Sequence, residues 1–259
     1  MMVETQFELV VLGSGTCAAT LERSMASYLL KIKETNRRVL LDIGAGSLRR
    51  LLEAGEDYRD LDAIFISHWH TDHVADLVPF LWATVNTPGY QRRGVLPIFG
   101  PCGLNNWFSN LAVAHGQWLN ETDFGVEIIE KQDESWEWEG ITVSTLALQH
   151  SVPVNGYSFK KGKSSLVYTG DTGPCESLLT LAKSADLLLA ECSFPAARKG
   201  IDYHLTSETV GELAQVANVK KLLLTHMYPE CELVNIQDEC AKKFNGMIEL
   251  AQDLKRLNI

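Results

Sequence analysis

The 259-residue sequence has no apolar run that approaches the roughly 18 to 20 residues needed to cross a membrane as a helix. Its first residues, MMVETQFELVVLG, lack the basic segment and the long apolar core of a secretory signal. The six cysteines are scattered and form no C-x-x-C pair, which favours reduced, packed thiols over disulfides or a cysteine metal site. These absences predict a cytoplasmic protein.

Positive charge is also scarce. The 23 Lys and Arg residues are outnumbered by 33 Asp and Glu residues, which gives a formal net charge of −10. Proteins that bind nucleic acid mainly by covering phosphates with cationic side chains have the opposite balance. Nucleic acid is therefore not the favoured partner, although a local basic patch would be compatible with this composition.

Short apolar runs alternate with segments of helical periodicity along the chain. We predict strands in FELVVLGSGT, SYLLKI, RRVLLDIGAG, LDAIFISH, ITVSTLALQH, GYSFKKGKSSLVYTGD, DLLLAECSF and KKLLLTHM. We predict helices in SLRRLLEAGED, VADLVPFLWATV, CESLLTLAKSA and TSETVGELAQVANV, and a turn in GPCGLNNWF. The pattern indicates an α/β protein with two sheets and external helices, in one domain spanning residues 1–259.

Two helix starts carry capping signals. Glu208 is placed for a capping box at the start of the last predicted helix if Thr206 or a neighbour caps that helix. Asp76 precedes VPFLWATV and could cap that helix or form an ion pair with it.

Polar residues stand where the predicted strands end. They are Asp42, His68, His150, Asp171, Glu191 and His226. Because the ends of neighbouring strands meet at one rim of a layered α/β fold, we expect these side chains to converge on a site.

The stretch ISHWHTDHVADL holds three histidines and an aspartate within six positions: His68, His70, Asp72 and His73. Imidazole nitrogens and carboxylate oxygens are ligands for zinc, and also for manganese or iron. Neighbours in a short loop point in different directions, so His68 and His70 can serve one ion while Asp72 and His73 serve a second. His150 and His226 could supply one further ligand apiece, and Asp171 could bridge the two ions.

Eight stretches together resemble a metallo-β-lactamase-fold hydrolase, and within that superfamily they are most similar to the ribonuclease Z-like group. They are LGSGT (12–16), LLDIGAG (40–46), SHWHTDH (67–73), LQHSVPVNGYSF (148–159), YTGDTG (168–173), LLAECSF (188–194), HLTSE (204–208) and LLLTHMYP (222–229). The resemblance implies a four-layer αβ/βα sandwich with a dinuclear site at one edge, usually occupied by zinc. It also implies a homodimer.

The resemblance assigns a role to each site residue. One metal would be held by His68, His70 and His150, the other by Asp72, His73 and His226, with Asp171 bridging. Asp42 would orient a ligand histidine. The expected catalytic residues are His204, Glu191 and Asp72, with His204 near the scissile phosphate and Glu191 as its carboxylate partner. Trp69 and Tyr157 could line the entrance or belong to the core.

The implied reaction is hydrolysis of a phosphodiester by a water that two metals share. Long-armed ribonuclease Z enzymes carry an insertion that grips tRNA after the segment matching HSVPVNGYSF, but only KKGKSSL stands there in this chain. We therefore expect a phosphodiesterase for small or nucleotide-like diesters. The alternatives are a tRNA 3′-processing endoribonuclease, an ester or thioester hydrolase, and a non-catalytic metal-binding regulator.

Overall fold

The computed structural model describes residues 5–119, 122 and 124–259. A first sheet has seven strands, labelled in chain order: β1 (Phe7–Gly13), β2 (Ser27–Ile32), β3 (Arg37–Ile43), β4 (Ala63–Phe65), β5 (Leu96–Gly100), β6 (Val126–Glu130) and β14 (Arg256–Asn258). Their spatial order is β14-β1-β2-β3-β4-β5-β6. The β14, β1, β2 and β3 strands pair in antiparallel fashion, and β3 to β6 pair in parallel.

The second sheet repeats this plan. Its strands are β7 (Glu134–Trp138), β8 (Ile141–Ala147), β9 (Asn155–Lys161), β10 (Ser164–Tyr168), β11 (Leu187–Glu191), β12 (Lys221–Thr225) and β13 (Met247–Leu250). The order is β13-β12-β11-β10-β9-β8-β7. Strands β7 to β10 pair in antiparallel fashion and β10 to β13 in parallel, so each sheet has an antiparallel and a parallel half.

Helices cover the outer face of each sheet. They are α1 (Ser47–Glu53), α2 (Thr71–Val74), α3 (Leu77–Asn86), α4 (Leu104–His115), α5 (Glu176–Ala182), α6 (Ser207–Val216) and α7 (Ile236–Ala241). Short 3₁₀ turns occupy Tyr58–Asp60, Gln117–Leu119 and Pro229–Leu233. One core lies between the sheets, a second under α1, α3 and α4, and a third under α5, α6 and α7. The predicted four-layer αβ/βα sandwich is thereby confirmed.

The first strand shows why the apolar runs are continuous rather than alternating. Leu9 and Val11 face the core between the sheets, whereas Val10 and Leu12 face the core under the helices. A strand buried on both faces needs apolar residues at successive positions. The same reasoning applies to the central strands of the second sheet, which carry runs such as LLLAE in β11.

The predicted strand ends meet at one edge of the sandwich. Asp42 lies near the end of β3, His68 follows β4, and Asp171 follows β10. Glu191 ends β11 and His226 follows β12. The carboxyl ends of the parallel strands in both sheets therefore point to the same rim, as the sequence predicted.

Some local predictions were wrong. GPCGLNNWF is not only a turn, because α4 begins at Leu104, where the Glu130 carboxylate accepts hydrogen bonds from the backbone nitrogens of Gly103 and Asn105. Strands β5, β6, β7, β13 and β14 and helix α7 had not been predicted.

Both capping predictions need correction. Thr206 does cap α6, but its capping-box partner is Thr209 and not Glu208, since Thr209 is the third residue of the helix. Asp76 precedes α3 without capping it. Its carboxylate accepts a hydrogen bond from the backbone nitrogen of Leu48 instead, which stabilises the start of α1.

Among the described residues, no helix is both long and apolar enough to cross a membrane.

Candidate active site

The backbone takes unusual conformations at two positions of the rim. Asp42 and His226 have φ angles of 54° and 53°, in the left-handed region that residues other than glycine rarely adopt. Each of the two residues lies at the end of a buried strand, and the side chain of each is directed toward the site. Conformations of this kind cost about 1–3 kcal/mol each and persist where surrounding contacts enforce them, most often at functional sites.

A first group of potential ligands contains His68, His70, His150 and Asp171. His70 Nδ1 lies 3.0 Å from His68 Nε2 and 3.1 Å from His150 Nε2. Asp171 Oδ2 lies 3.8 Å from His68 Nε2. Three imidazole nitrogens and one carboxylate oxygen therefore surround a single point, and this is the set expected around the first ion.

A second group contains Asp72, His73 and His226. His226 Nε2 lies 3.2 Å from Asp72 Oδ2 and 3.3 Å from His73 Nε2. Asp171 reaches this group with its other oxygen, because Oδ1 lies 3.3 Å from His73 Nε2 and 3.4 Å from His226 Nε2. Asp171 thus presents one oxygen to each group.

These residues fit divalent metal ions. Bonds of about 2.1 Å from a tetrahedral ion to its ligands place the ligand atoms about 3.4 Å apart, close to the spacings within both groups. Asp171 Oδ1 is buried and has no hydrogen-bond partner in the part of the chain that the structure describes. A buried carboxylate oxygen needs a positively charged or hydrogen-bonding partner, which a cation at this point would supply.

In four histidines of the two groups, Nδ1 is the ring nitrogen directed away from the other potential ligand atoms, and it contacts a polar partner. Asp42 Oδ2 lies 2.6 Å from His73 Nδ1, and the Ser67 hydroxyl lies 3.0 Å from His68 Nδ1. The other two contacts, each 3.0 Å, join His150 Nδ1 to the Tyr203 carbonyl and His226 Nδ1 to the Ser193 hydroxyl. Such contacts fix the tautomer and orientation of metal-binding imidazoles.

Asp42 anchors one side of the site. Its buried carboxylate accepts hydrogen bonds from the Ser67 backbone nitrogen (2.6 Å), the Ser67 hydroxyl (2.7 Å) and the Tyr168 hydroxyl (2.5 Å). Since it also contacts His73, it occupies the position that the sequence analysis expected for it. Ser67, Ser193 and Tyr203 were missed, and the one available signal was their place within two residues of a predicted site residue.

Burial and charge set the protonation of the two groups differently. Burial lowers the pKa of His68, His70 and His150, which favours the neutral imidazole that binds metal. Burial also acts to lower the pKa of His73, but the charges of Asp171 and Asp42 outweigh it and raise that pKa. A metal cation bound to His73 would interact with the negative charges of Asp171 and Asp42 in place of the imidazole proton.

The carboxylate of Asp72 is ionised. Burial alone would raise its pKa, but the hydrogen bond from His226 and the charge of His73 lower the pKa to about 2. An ionised carboxylate beside two imidazoles is a strong ligand set for a divalent cation.

His204 and Glu191 form a pair beside the two groups. His204 Nδ1 lies 3.1 Å from Glu191 Oε1, and burial of this imidazole, which lowers its pKa, is outweighed by the carboxylate, so that the pKa rises to about 9. Glu191 also accepts hydrogen bonds from the backbone nitrogens of Thr172 and Leu205. His204, His226 and Asp171 make a third, overlapping group of potential ligand atoms.

The structure places the two aromatic residues for which the sequence left both an entrance and a core position possible. Tyr157 is buried and donates a hydrogen bond from its hydroxyl to the Ile66 carbonyl, so it belongs to the packing beneath the site. Trp69 follows His68 but lines an apolar groove with residues of α3 and α4. On the other side of the site, Phe194 and Tyr228 stack with ring centroids 4.9 Å apart.

Comparison with solved structures defines the class of fold. The chain is similar to the metallo-β-lactamase fold protein YhfI from Bacillus subtilis, with a TM-score of 0.84 and 25% identity over 99% of this chain and 100% of that one. It is also similar to the short form of human tRNase Z, with a TM-score of 0.77 and 20% identity over 96% and 98% of the two chains. The protein has a metallo-β-lactamase fold.

Comparison of sequences narrows this class. The chain is 28% identical to the ribonuclease Z of Methanosarcina acetivorans over 97% of each protein, so the predicted resemblance to the ribonuclease Z-like group is confirmed. Residues 7–250 match the family described as "Anti-Pycsar protein Apyc1", and the chain belongs to that family.

If the two groups bind metal, removing a central ligand will lower the metal content of the purified protein. We expect His68→Ala and Asp171→Ala to lose bound metal, with the larger loss for Asp171→Ala because its carboxylate contacts both groups. Elemental analysis after gel filtration measures this directly. His115→Ala, which removes an exposed histidine outside the groups, should retain the wild-type content. Equal metal content in the wild type and the three variants would contradict the assignment of His68 and Asp171 as metal ligands.

Proposed function

We propose that this protein is a metal-dependent phosphodiesterase that binds two zinc ions and hydrolyses small or nucleotide-like diesters. The observation that carries the proposal is the position of Asp171, whose two oxygens face two separate groups of histidines. His68, His70 and His150 would hold one ion, and Asp72, His73 and His226 the other. The ribonuclease Z relatives, whose name describes enzymes that cleave the phosphodiesters of RNA, support the type of bond.

Two such ions, if bound, would supply Lewis acidity and a water of lowered pKa as the nucleophile. The protein side chains then have to position the diester and manage the proton of the leaving group. His204 is suited to the second task, because Glu191 engages Nδ1 and leaves Nε2 as the nitrogen that can donate to an alkoxide. A pKa of about 9 keeps that proton in place at neutral pH.

A tRNA 3′-processing endoribonuclease is the second candidate, since the curated relatives carry the name ribonuclease Z. Two observations disfavour it. Strands β9 and β10 are joined by Gly162 and Lys163 alone, at the place where long-armed enzymes insert their tRNA-binding arm. The net charge of −10 also provides little attraction for RNA.

Ester or thioester hydrolysis and a non-catalytic regulatory role are weaker candidates. A non-catalytic regulator would leave the His204–Glu191 pair without an evident task, and a thioester expels a thiolate, which leaves readily without a proton. An ester expels an alkoxide as a phosphodiester does, so the name of the ribonuclease Z relatives is what ranks it lower. His204 lies beside Asp171, with Nδ1 3.9 Å from Asp171 Oδ2.

We further propose that residues 1–259 form one domain that acts in the cytoplasm. Both sheets contribute to a shared core, which includes Leu9 from the first sheet and Leu189 from the second. The cysteines are free, among them the exposed Cys17 and Cys102, as is common for proteins of a reducing compartment.

The homodimer implied by the resemblance would need a surface that two copies share. Helices α3 and α4 form a groove of about 900 Å³ with Trp69, lined also by Trp82, Trp107 and Trp118. None of its lining residues is Asp, Glu, Lys or Arg, although these types make up 22% of the chain. Trp82, which lines the groove, is 52% exposed.

The lack of charge favours a second copy of this chain as the occupant. Two copies that each carry a net charge of −10 repel one another, and an uncharged face is where they approach at least cost. Apolar patches of this kind on soluble proteins commonly mark interfaces. We propose that the groove formed by α3 and α4 is the dimer interface.

The first functional test is hydrolysis of bis(p-nitrophenyl) phosphate. We expect turnover that disappears on chelation and returns when zinc is added, with manganese as a comparison. A precursor tRNA tested in parallel distinguishes the second candidate, which predicts cleavage of the RNA. No turnover of any diester by a protein that holds two metals would contradict the proposal and would favour the ester or regulatory alternatives.

Removing the proposed acid should slow turnover without removing metal. We expect His204→Ala to keep both ions and to lose about 10²- to 10⁴-fold in kcat on a diester with an alkoxide leaving group. The loss should be smaller with p-nitrophenolate, which leaves without a proton. Equal losses for the two leaving groups would show that His204 is not the acid.

The dimer surface can be tested by introducing charge. Trp82→Glu places like charges across a two-fold interface and should convert a dimer into a monomer in sedimentation velocity experiments. Val216→Glu is the matched control, because Val216 is an exposed apolar residue of α6, outside the groove. A wild-type monomer, or a Trp82→Glu dimer, would contradict the assignment of the groove.

A further inference from the structure

The hydroxyl of Ser193 lies between the proposed metal centre and the His204–Glu191 pair. Its Oγ is 3.0 Å from His226 Nδ1, 2.6 Å from Glu191 Oε2 and 3.3 Å from His204 Nδ1. The residue is fully buried. A single hydroxyl thus contacts one proposed metal ligand, the proposed acid, and the carboxylate that holds the acid.

Hydrogen-bond chemistry fixes the direction of these contacts. Glu191 can only accept, so the Ser193 proton goes to its Oε2. The Ser193 oxygen is then left with lone pairs and accepts from His226 Nδ1–H. This places the free lone pair of His226 on Nε2, the nitrogen that faces Asp72 and His73.

The opposite side of the site contains the same arrangement. The Ser67 hydroxyl donates to Asp42 at 2.7 Å and accepts from His68 Nδ1 at 3.0 Å, while Asp42 contacts the Nδ1 of a second histidine, His73. On the Ser193 side, Glu191 has the place of Asp42 and His204 has the place of His73. A serine, a buried carboxylate and two histidines therefore recur on both sides of Asp171.

Comparison of the two sides distinguishes the role of Ser67 from that of Ser193. On the Ser67 side both histidines belong to the proposed ligand groups, so the serine serves metal binding alone. On the Ser193 side one histidine is a proposed ligand and the other is the proposed acid. A change at Ser193 must therefore act on metal binding and on the proton donor together.

We propose that Ser193 is a positioning residue that holds His226 in its metal-binding tautomer and couples the second metal site to the His204–Glu191 pair. The proposal rests on the proposed dinuclear centre. Loss of a hydrogen-bond partner of a metal-binding histidine typically lowers metal affinity about 10- to 100-fold. Ser193→Ala should lower the affinity of the second site by that factor, with little effect on the first.

Metal titration of the apoprotein, with a competing chelator, tests this without relying on activity. The step weakened in Ser193→Ala should be the one that Asp72→Ala abolishes and His150→Ala spares. Ser193→Thr, which keeps the hydroxyl, should restore wild-type affinity. Ser165→Ala is the matched control, because Ser165 is also buried and donates to a carboxylate, that of Asp186, but lies at the far end of β10.

A kinetic measurement at saturating metal tests the coupling to the acid. We expect Ser193→Ala to lower kcat with KM unchanged, and to do so more for an alkoxide than for a p-nitrophenolate leaving group. Wild-type metal affinity at both sites in Ser193→Ala would overturn the proposal and leave the dinuclear centre standing. A wild-type protein that binds fewer than two ions would overturn both.

Discussion

The site depends on one buried carboxylate. Asp171 lies at the rim where the two sheets meet, with each oxygen directed at a different group of histidines, and Oδ1 lacks a hydrogen-bond partner among the described residues. Burial alone would raise the pKa of Asp171, yet the surrounding histidines hold it well below its ordinary value. A charge kept in a buried place needs compensation. The fold provides it by bringing histidines from both halves of the chain to this point.

The two sheets make this convergence possible because they are built alike. Each has an antiparallel and a parallel half, and the carboxyl ends of both parallel halves open onto the same rim. The likeness extends to side chains: Ser67 with Asp42 on one side corresponds to Ser193 with Glu191 on the other. The sides differ in what the second histidine does, since His73 faces the ligand groups while His204 remains beside them. In the proposed function, that difference leaves His204 free to act as the proton donor.

The residues that could be predicted were those whose position follows from local pattern. The loop from His68 to His73 carries a local pattern of potential metal ligands, and the positions of Asp42, Asp171 and His226 follow from strands that end at a common rim. Ser193 could not be predicted, because its role depends on contacts with His226 and Glu191 that only the folded chain creates. Helix α4 was missed because GPCGLNNWF opens with turn-forming residues, and its start depends on Glu130, 27 residues after Gly103. The predicted capping-box partner of Thr206 was wrong by one residue, because Glu208 is the second residue of α6 and Thr209 is the third.

The central claim is that two ions share Asp171. Anomalous diffraction at the zinc edge, from crystals of the zinc-loaded protein, tests it most directly. The account predicts two peaks about 3.5 to 4 Å apart, one among His68, His70 and His150 and one among Asp72, His73 and His226, with a carboxylate oxygen of Asp171 bound to each. A single peak, or two peaks without Asp171 between them, would contradict the account.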